Sequence, residues 1–426
     1  MGIPLVEEPP EWGIEPVPEE KKTLGFLDYF VLWSSLGVGL LVFQAGAELG
    51  LGLLTAIIVS ILGSILGSLM LASAGLIGSK YGVPTMVSVR PALGRWGSYL
   101  PTALNVIQLI GWTAFEFIVM KEAATTISGP FLGRYTEVFW AIIIAIFCWL
   151  LAYGGPITVV RKWLEKFAIW LVFASTIWIT VYLITEGWNV RISLTSVGSI
   201  PFFSALDLVI AMPISWMPLV NDYNRFAEND KQGFFGTFSG YTLTNTWFYS
   251  LGAALVVLTD QANVVVAISS ILLGGVALAL IIVDETDNAF ADIFSTGMSI
   301  KNLFPNANQR TLVTGATAIG LIIVLMLPLG QYINFLYLIG GFFVPLFGVV
   351  IADFLVVKRT QYKREDFYGE KKLDIVGIIS WVSGATIYFT ITYLFPQINL
   401  PSIGASLPSF LVAFLVHYLL SIAKRS

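Results

Sequence analysis

Residues 211–218 read Ala-Met-Pro-Ile-Ser-Trp-Met-Pro, and residues 33–39 read Trp-Ser-Ser-Leu-Gly-Val-Gly. Each sits inside an otherwise apolar stretch, and each should interrupt a helix. The two prolines remove backbone donors in the first, and the glycines loosen the second. Unsatisfied backbone at bilayer depth is tolerable only where it faces protein or a water-filled cavity. One interruption would be an ordinary kink, since Gly and Pro are common in membrane spans. Two at matching positions of two chain halves point to the binding site of a secondary transporter.

The surrounding sequence supports a membrane setting. Apolar residues make up 56% of the 426, charged residues only 12%, and mean hydropathy is +0.81. No soluble core of this length hides so much apolar surface. Stretches long enough to cross the hydrocarbon run over 27–49, 51–79, 98–120, 136–155, 166–186, 203–220, 234–258, 263–290, 311–328, 332–356, 373–395 and 404–421. With the N-terminus in the cytoplasm, all 23 Lys and Arg residues except Arg134, Arg191 and Lys121 fall on the inner side. That bias fixes the expected topology: twelve transmembrane helices of an all-α polytopic protein in the cell (plasma) inner membrane, both termini cytoplasmic. The first 20 residues are acidic and Pro-rich, without the basic start of a signal peptide, and read as a mobile tail.

Polar residues inside spans mark function, because each is costly unless it meets a partner or water. Gln108, Trp112 and Glu116 recur at i, i+4 and i+8, which places an amide, an indole and a carboxyl on one helical stripe. The set suits a flat heteroaromatic ring, stacked on Trp112 and bonded at its edge by Gln108 and Glu116. The eighth span carries Asp284, Glu285, Asp287, Asn288 and Asp292. Asp284, Asp287 and Asn288 share one face, and Glu285, Asn288 and Asp292 an adjacent one. Asp284 and Glu285 are expected deepest, suited to sodium or a proton. Asp292, and Asp287 with it, are expected toward the solvated helix end.

Other charges read as structural. Glu48 and Glu122 mark outer helix ends, and Asp207 suits the N-terminus of its own helix. Asp222 is expected to clamp Arg225 or a neighbouring loop, and Asp353 to act similarly. The lone His417 reads as a packing residue, and the lone Cys148 excludes an intrachain disulfide and a cysteine-built metal site. Basic loops beside a membrane need no nucleic acid to explain them. A channel would want a continuous polar lining or a repeated filter loop. A membrane hydrolase would want a Ser/His pair, a catalytic aspartate pair or His-Glu-x-x-His. None of these is present.

At Gln108-Leu-Ile-Gly-Trp112, Asn221-Asp-Tyr-Asn-Arg-Phe226, Asp287-Asn-Ala289 and Pro345-Leu-Phe-Gly-Val-Val-Ile-Ala-Asp-Phe354 the sequence resembles the nucleobase–cation symporter family, in its cytosine permease and hydroxymethylpyrimidine transporter branch. The likeness runs from about residue 20 to residue 365. It implies a five-plus-five inverted-repeat core of the leucine-transporter type, with discontinuous helices 1 and 6. The corresponding division is a tail over 1–26, a ten-helix core over 27–357, a basic loop over 358–372 and two accessory helices with a tail over 373–426.

The resemblance also assigns roles. Trp112 takes the place of the tryptophan that stacks on the substrate, and Glu116 that of a residue at the ring edge. Met212, Pro213, Ile214 and Ser215 match the break that covers the other ring face. Asp287 and Asn288 match polar residues near the substrate. The family's sodium site uses backbone carbonyls of the helix 1 break, here Gly37 to Leu40, with hydroxyls of helix 8. Asp284 and Glu285 stand where relatives carry those hydroxyls, so coupling by sodium or by a proton stays open. The usual second aromatic of helix 6 is absent, and Trp216 lies about a turn away.

The expected protein is therefore a secondary active importer of a small amino-pyrimidine in the lipid bilayer. It uses Na+ or H+, needs no cofactor, and works with a single chain. Hydroxymethylpyrimidine is favoured slightly over cytosine. A purine, allantoin or hydantoin symporter of the same fold is the alternative.

Overall fold

The computed structural model describes residues 13–154, 169–189, 200–326, 332–401 and 403–424. Arg161, Lys162, Lys166, Arg191 and Arg425, assigned above to one face or the other, lie outside the described residues. Within them the chain is helical, and the only β pairing is one isolated bridge between Leu24 and Ala227.

The first passage is split into α1 (Phe26–Leu36) and α2 (Leu40–Ala47), bent by 56°. Next come α3 (Leu53–Tyr81), α4 (Tyr99–Ser128), α5 (Thr136–Gly154) and α6 (Ile169–Asn189). The second split passage is α7 (Phe202–Ser215) and α8 (Val220–Asn224). Then follow α9 (Asp230–Thr259), a short α10 (Val264–Ser270) and α11 (Gly274–Leu303). The chain closes with α12 (Gln309–Val324), α13 (Tyr332–Ile351), α14 (Ile375–Phe389) and α15 (Ser406–Ala423).

Among the described residues seven helices are long and apolar enough to span a membrane, and nine when the two bent pairs count as single spans. Phe202–Ser215 and Gln309–Val324 are apolar but shorter. Gly274–Leu303 is long enough but carries four buried acids. These helices follow the expected passages in order, with the third running on to Ser128 and the eighth displaced at both ends, from 263–290 to Gly274–Leu303. The eighth does not begin at 263. The run 263–290 is broken by a left-handed Leu273, and α10 is a separate helix bent 66° from α9.

The outer surface is apolar. Ile58, Ile61, Leu62, Ile65 and Leu69 line an exposed stripe of α3, as lipid contact requires. The inward stripe of α3 is built from small residues. A Cβ at Gly63, Gly67, Gly75 or Gly78 would collide with Val209, Pro213, Asn224 or Asn221 respectively, so these glycines seat α7 and α8 directly.

Basic residues from distant segments gather at one end. Lys80 donates to the Thr360 carbonyl (2.7 Å), Arg90 to Asn302 Oδ1 (2.9 Å) and Lys371 to the Pro91 carbonyl (2.9 Å). The tail was expected to be mobile, yet from Gly13 onward it is packed against this basic face. Arg225 donates to the Gly13 carbonyl (2.9 Å), Val17 N–H to Gly82 (2.9 Å), and Leu24 N–H to Phe226 (3.0 Å). Val17 and Leu24 are buried there, which offsets the cost of ordering the segment.

Asp207 does not serve its own helix. Its carboxylate accepts from Ala405 N–H and Ser406 N–H, capping α15 at the opposite end of the molecule. His417 is more than packing, because its Nε2 meets Asp353 Oδ1 at 3.0 Å while Tyr362 donates to Asp353 Oδ2 at 2.7 Å. This buried cluster joins α15, the π-helical end of α13 (Ala352–Val357) and the following loop. His417→Phe should lower the thermal midpoint, since it strips one partner from a buried carboxyl at about 1–3 kcal/mol. Adding Asp353→Leu should recover part of the loss. A double variant no better than His417→Phe would dismiss the pair as a stabilising unit.

Candidate functional site

Both helix breaks are completed by side chains from the other half of the chain. At the second break, Asn105 of α4 donates to the Pro218 carbonyl (3.0 Å) and Gln108 to Ser215 (3.4 Å). At the first, Glu285 of α11 accepts from Leu40 N–H (2.7 Å) and from Leu41 N–H, while Asn288 donates to the Val38 carbonyl (2.8 Å). The exchange is reciprocal: the third passage satisfies the sixth, and the eighth satisfies the first. Free peptide groups at this depth would each cost several kcal/mol, roughly the penalty of an unmade bond in hydrocarbon. Glu285 thus sets its carboxyl group at the N-terminus of α2.

Between the breaks lies a small cavity of about 20 Å³, room for a single water. Its apolar walls are Trp112, Met212 and Trp216 with Leu36, Leu41 and Val42, and its polar walls are Glu116, Ser215, Glu285, Asn288 and Asp292. Phe335 of α13 holds Trp112 edge-on, with ring centroids 5.5 Å apart at 71°, and Trp33 braces Trp216 at 6.2 Å and 89°. The Trp33 indole is itself fixed by Asn224 Oδ1 at 3.0 Å. The Asn221–Phe226 stretch anchors this half-helix to the rest of the protein. Asn221 Oδ1 accepts from Gly78 N–H (2.9 Å), Asp222 from Thr85 N–H (2.9 Å), and Tyr223 donates to Ala291 (3.1 Å). Asp222 thus holds the first residue of the short helical turn Thr85–Ser88.

The predicted site residues divide into two groups. Trp112, Glu116, Met212, Ser215, Trp216, Glu285 and Asn288 are brought together on the cavity wall. Gln108 is not on it, because its amide is turned to Asn105 Oδ1 (2.8 Å) and the Ser215 carbonyl. Pro213 faces away against Gly67, and Gly37 is pressed against Thr244. The Leu40 N–H is bonded to Glu285.

The acids of α11 are sorted by helical face. Asp284 and Asp287 lie beside Ser35, behind the first break, with Ser35 donating to Asp284 Oδ1 at 2.7 Å. Asp292 lines the cavity instead. The expected solvated end is not there, since Asp287 is 0% and Asp292 3% exposed and the helix continues to Leu303. Among the described residues no three His, Cys, Asp or Glu side chains converge in a metal-holding arrangement.

Residues 16–375 match the family described as permease for cytosine/purines, uracil, thiamine, allantoin. The chain belongs to this permease family. Curated relatives include a hydantoin permease of Microbacterium maritypicum, 22% identical over 90% of this chain and 84% of that protein. An allantoin permease of Bacillus subtilis (strain 168) is 23% identical over 83% of this chain and 80% of its own length. A cytosine permease of Escherichia coli (strain K12) is 26% identical over 67% of this chain and 66% of that one. Among solved structures, Mhp1, a nucleobase-cation-symport-1 family transporter with bromovinylhydantoin bound, superposes with a TM-score of 0.82 at 18% identity, over 97% of this chain and 96% of Mhp1. As a permease of this family the protein is a polytopic membrane transporter and not an enzyme.

Proposed function

We propose that the permease is a secondary active, cation-coupled importer of a small amino-substituted pyrimidine, hydroxymethylpyrimidine or cytosine. One observation carries this reading: the cavity between the breaks is lined both by two indoles for a flat ring and by carboxyl groups for an amino edge. The carboxyl acceptors match the exocyclic amino group that both of these pyrimidines carry and a hydantoin ring lacks.

The cycle is alternating access about the two breaks. A cavity of about 20 Å³ holds no pyrimidine, so α1–α2 or α7–α8 must swing away for the ring to enter. The coupling site is Ser35, Asp284 and Asp287, where sodium or a proton neutralises paired carboxyls and fixes the first break against α11. The basic face lies in the cytoplasm of a cell that keeps this protein in its inner membrane, with both termini on that side.

Uptake of labelled hydroxymethylpyrimidine, cytosine, uracil and allantoin into proteoliposomes, under a sodium or a proton gradient, tests the reading. Accumulation of an amino-pyrimidine under one of the gradients is the expected result. Accumulation of allantoin or uracil alone would replace the substrate assignment, and uptake indifferent to both gradients would replace the coupling.

A further inference from the structure

The cavity wall accepts hydrogen bonds and offers few. Asn288 Oδ1 is buried without a partner, Glu116 Oε2 and Glu285 Oε1 meet no donor beyond each other's carboxyl, and the Asp292 carboxyl faces the same space. Among the described residues no Lys, Arg or His lines it. The Ser215 hydroxyl is spent on the Met212 carbonyl (2.7 Å) and the Asn288 amide on Val38 (2.8 Å). Glu116 and Glu285 approach within hydrogen-bonding reach of each other from α4 and α11. Two carboxyls side by side in a dry space hold either a proton or a cation between them.

Building on the aminopyrimidine reading, we propose that the permease recognises its substrate as a cation: a heteroaromatic ring whose positive charge is shared with its amino group. The amino group lies between Glu116 and Glu285, Asp292 supplies counter-charge, and the indoles of Trp112 and Trp216 face the charged ring. Each contact gains from the charge. Hydrogen bonds from a cation to a carboxylate are about twice as strong as neutral ones, and an indole face attracts cationic rings. A neutral diketo ring offers only ring N–H donors with carbonyl oxygens beside them, so some carbonyls meet carboxylates and some buried acceptors stay unpaired, the arrangement that discriminates most strongly between similar ligands.

The test holds pH and sodium constant and fixes the ligand's charge chemically. Binding to the purified full-length protein is measured for 4-amino-1-methylpyrimidinium, a permanent cation, for neutral 1-methylcytosine and for uracil. The cation should bind roughly tenfold to a hundredfold tighter than 1-methylcytosine, the range expected for bonds to a charged group, with uracil weakest. Glu116→Gln and Asp292→Asn should each move the cation-to-neutral ratio toward one. The wild-type ratio stands by itself should either variant fail to fold. Equal or tighter binding of 1-methylcytosine would overturn charge recognition and leave amino-pyrimidine transport intact. Failure of both amino rings to bind would overturn both readings.

Discussion

Trp112→Ala should cost the protein most of its affinity for substrate. Removing a base-stacking aromatic typically costs roughly 1–3 kcal/mol, about a 5- to 150-fold loss in binding. Two features place Trp112 toward the upper part of that range. Its indole lines the cavity directly, and Phe335 holds it edge-on at 5.5 Å, so the ring is already oriented before a ligand arrives. The truncation also leaves a void beside Phe335, so the thermal midpoint must be followed alongside binding. Trp112→Phe is the companion variant: it keeps a ring, and should keep most of the affinity. Wild-type affinity in Trp112→Ala, with the protein folded, would remove stacking from the account of this site.

Asp287→Asn should uncouple transport. Both Asp287 oxygens and Asp284 Oδ2 are buried without partners beside Ser35, immediately behind the first break. An unpaired buried charge is among the most costly features a fold can carry, so these carboxyls require a cation or protons in every state where they stay buried. The amide keeps the shape and removes that requirement. Gradient-driven accumulation should therefore fall at least tenfold, while exchange of substrate across the membrane, which needs no net ion movement, persists. Asp284→Asn should act in the same direction with a smaller effect, because its second oxygen is already satisfied by Ser35. Normal accumulation in Asp287→Asn would move coupling elsewhere. Loss of exchange as well would give Asp287 a part in substrate binding.

The acids beside Ser35 and the acids of the cavity wall lie on one helix, α11, where the sequence period already sorts them onto separate stripes. Residues 284 and 287 fall on one stripe of α11, and 285, 288 and 292 on the next. The period cannot say which stripe faces a ligand, and there the expectation slipped. Asp287 stands behind the break rather than at the cavity, and Asp292 stands at the cavity rather than in solvent, with Glu285 beside it. Gln108 shows the same limit. Its spacing from Trp112 and Glu116 is right for a shared stripe, but the unpaired Ser215 carbonyl of the second break draws its amide away from the cavity.

The sequence by itself determined the class, the apolar passages, the two breaks and the indole–carboxyl pair of α4, because hydrocarbon imposes length, apolarity and backbone satisfaction on any chain that crosses it. The tertiary structure alone decided what fills each break. Glu285 and Asn288 complete the first and Asn105 and Gln108 the second, contacts between residues more than a hundred positions apart that no local pattern encodes. It also decided that Asp207 caps α15 and that the tail from Gly13 is ordered, since both depend on which surfaces the packed bundle leaves within reach.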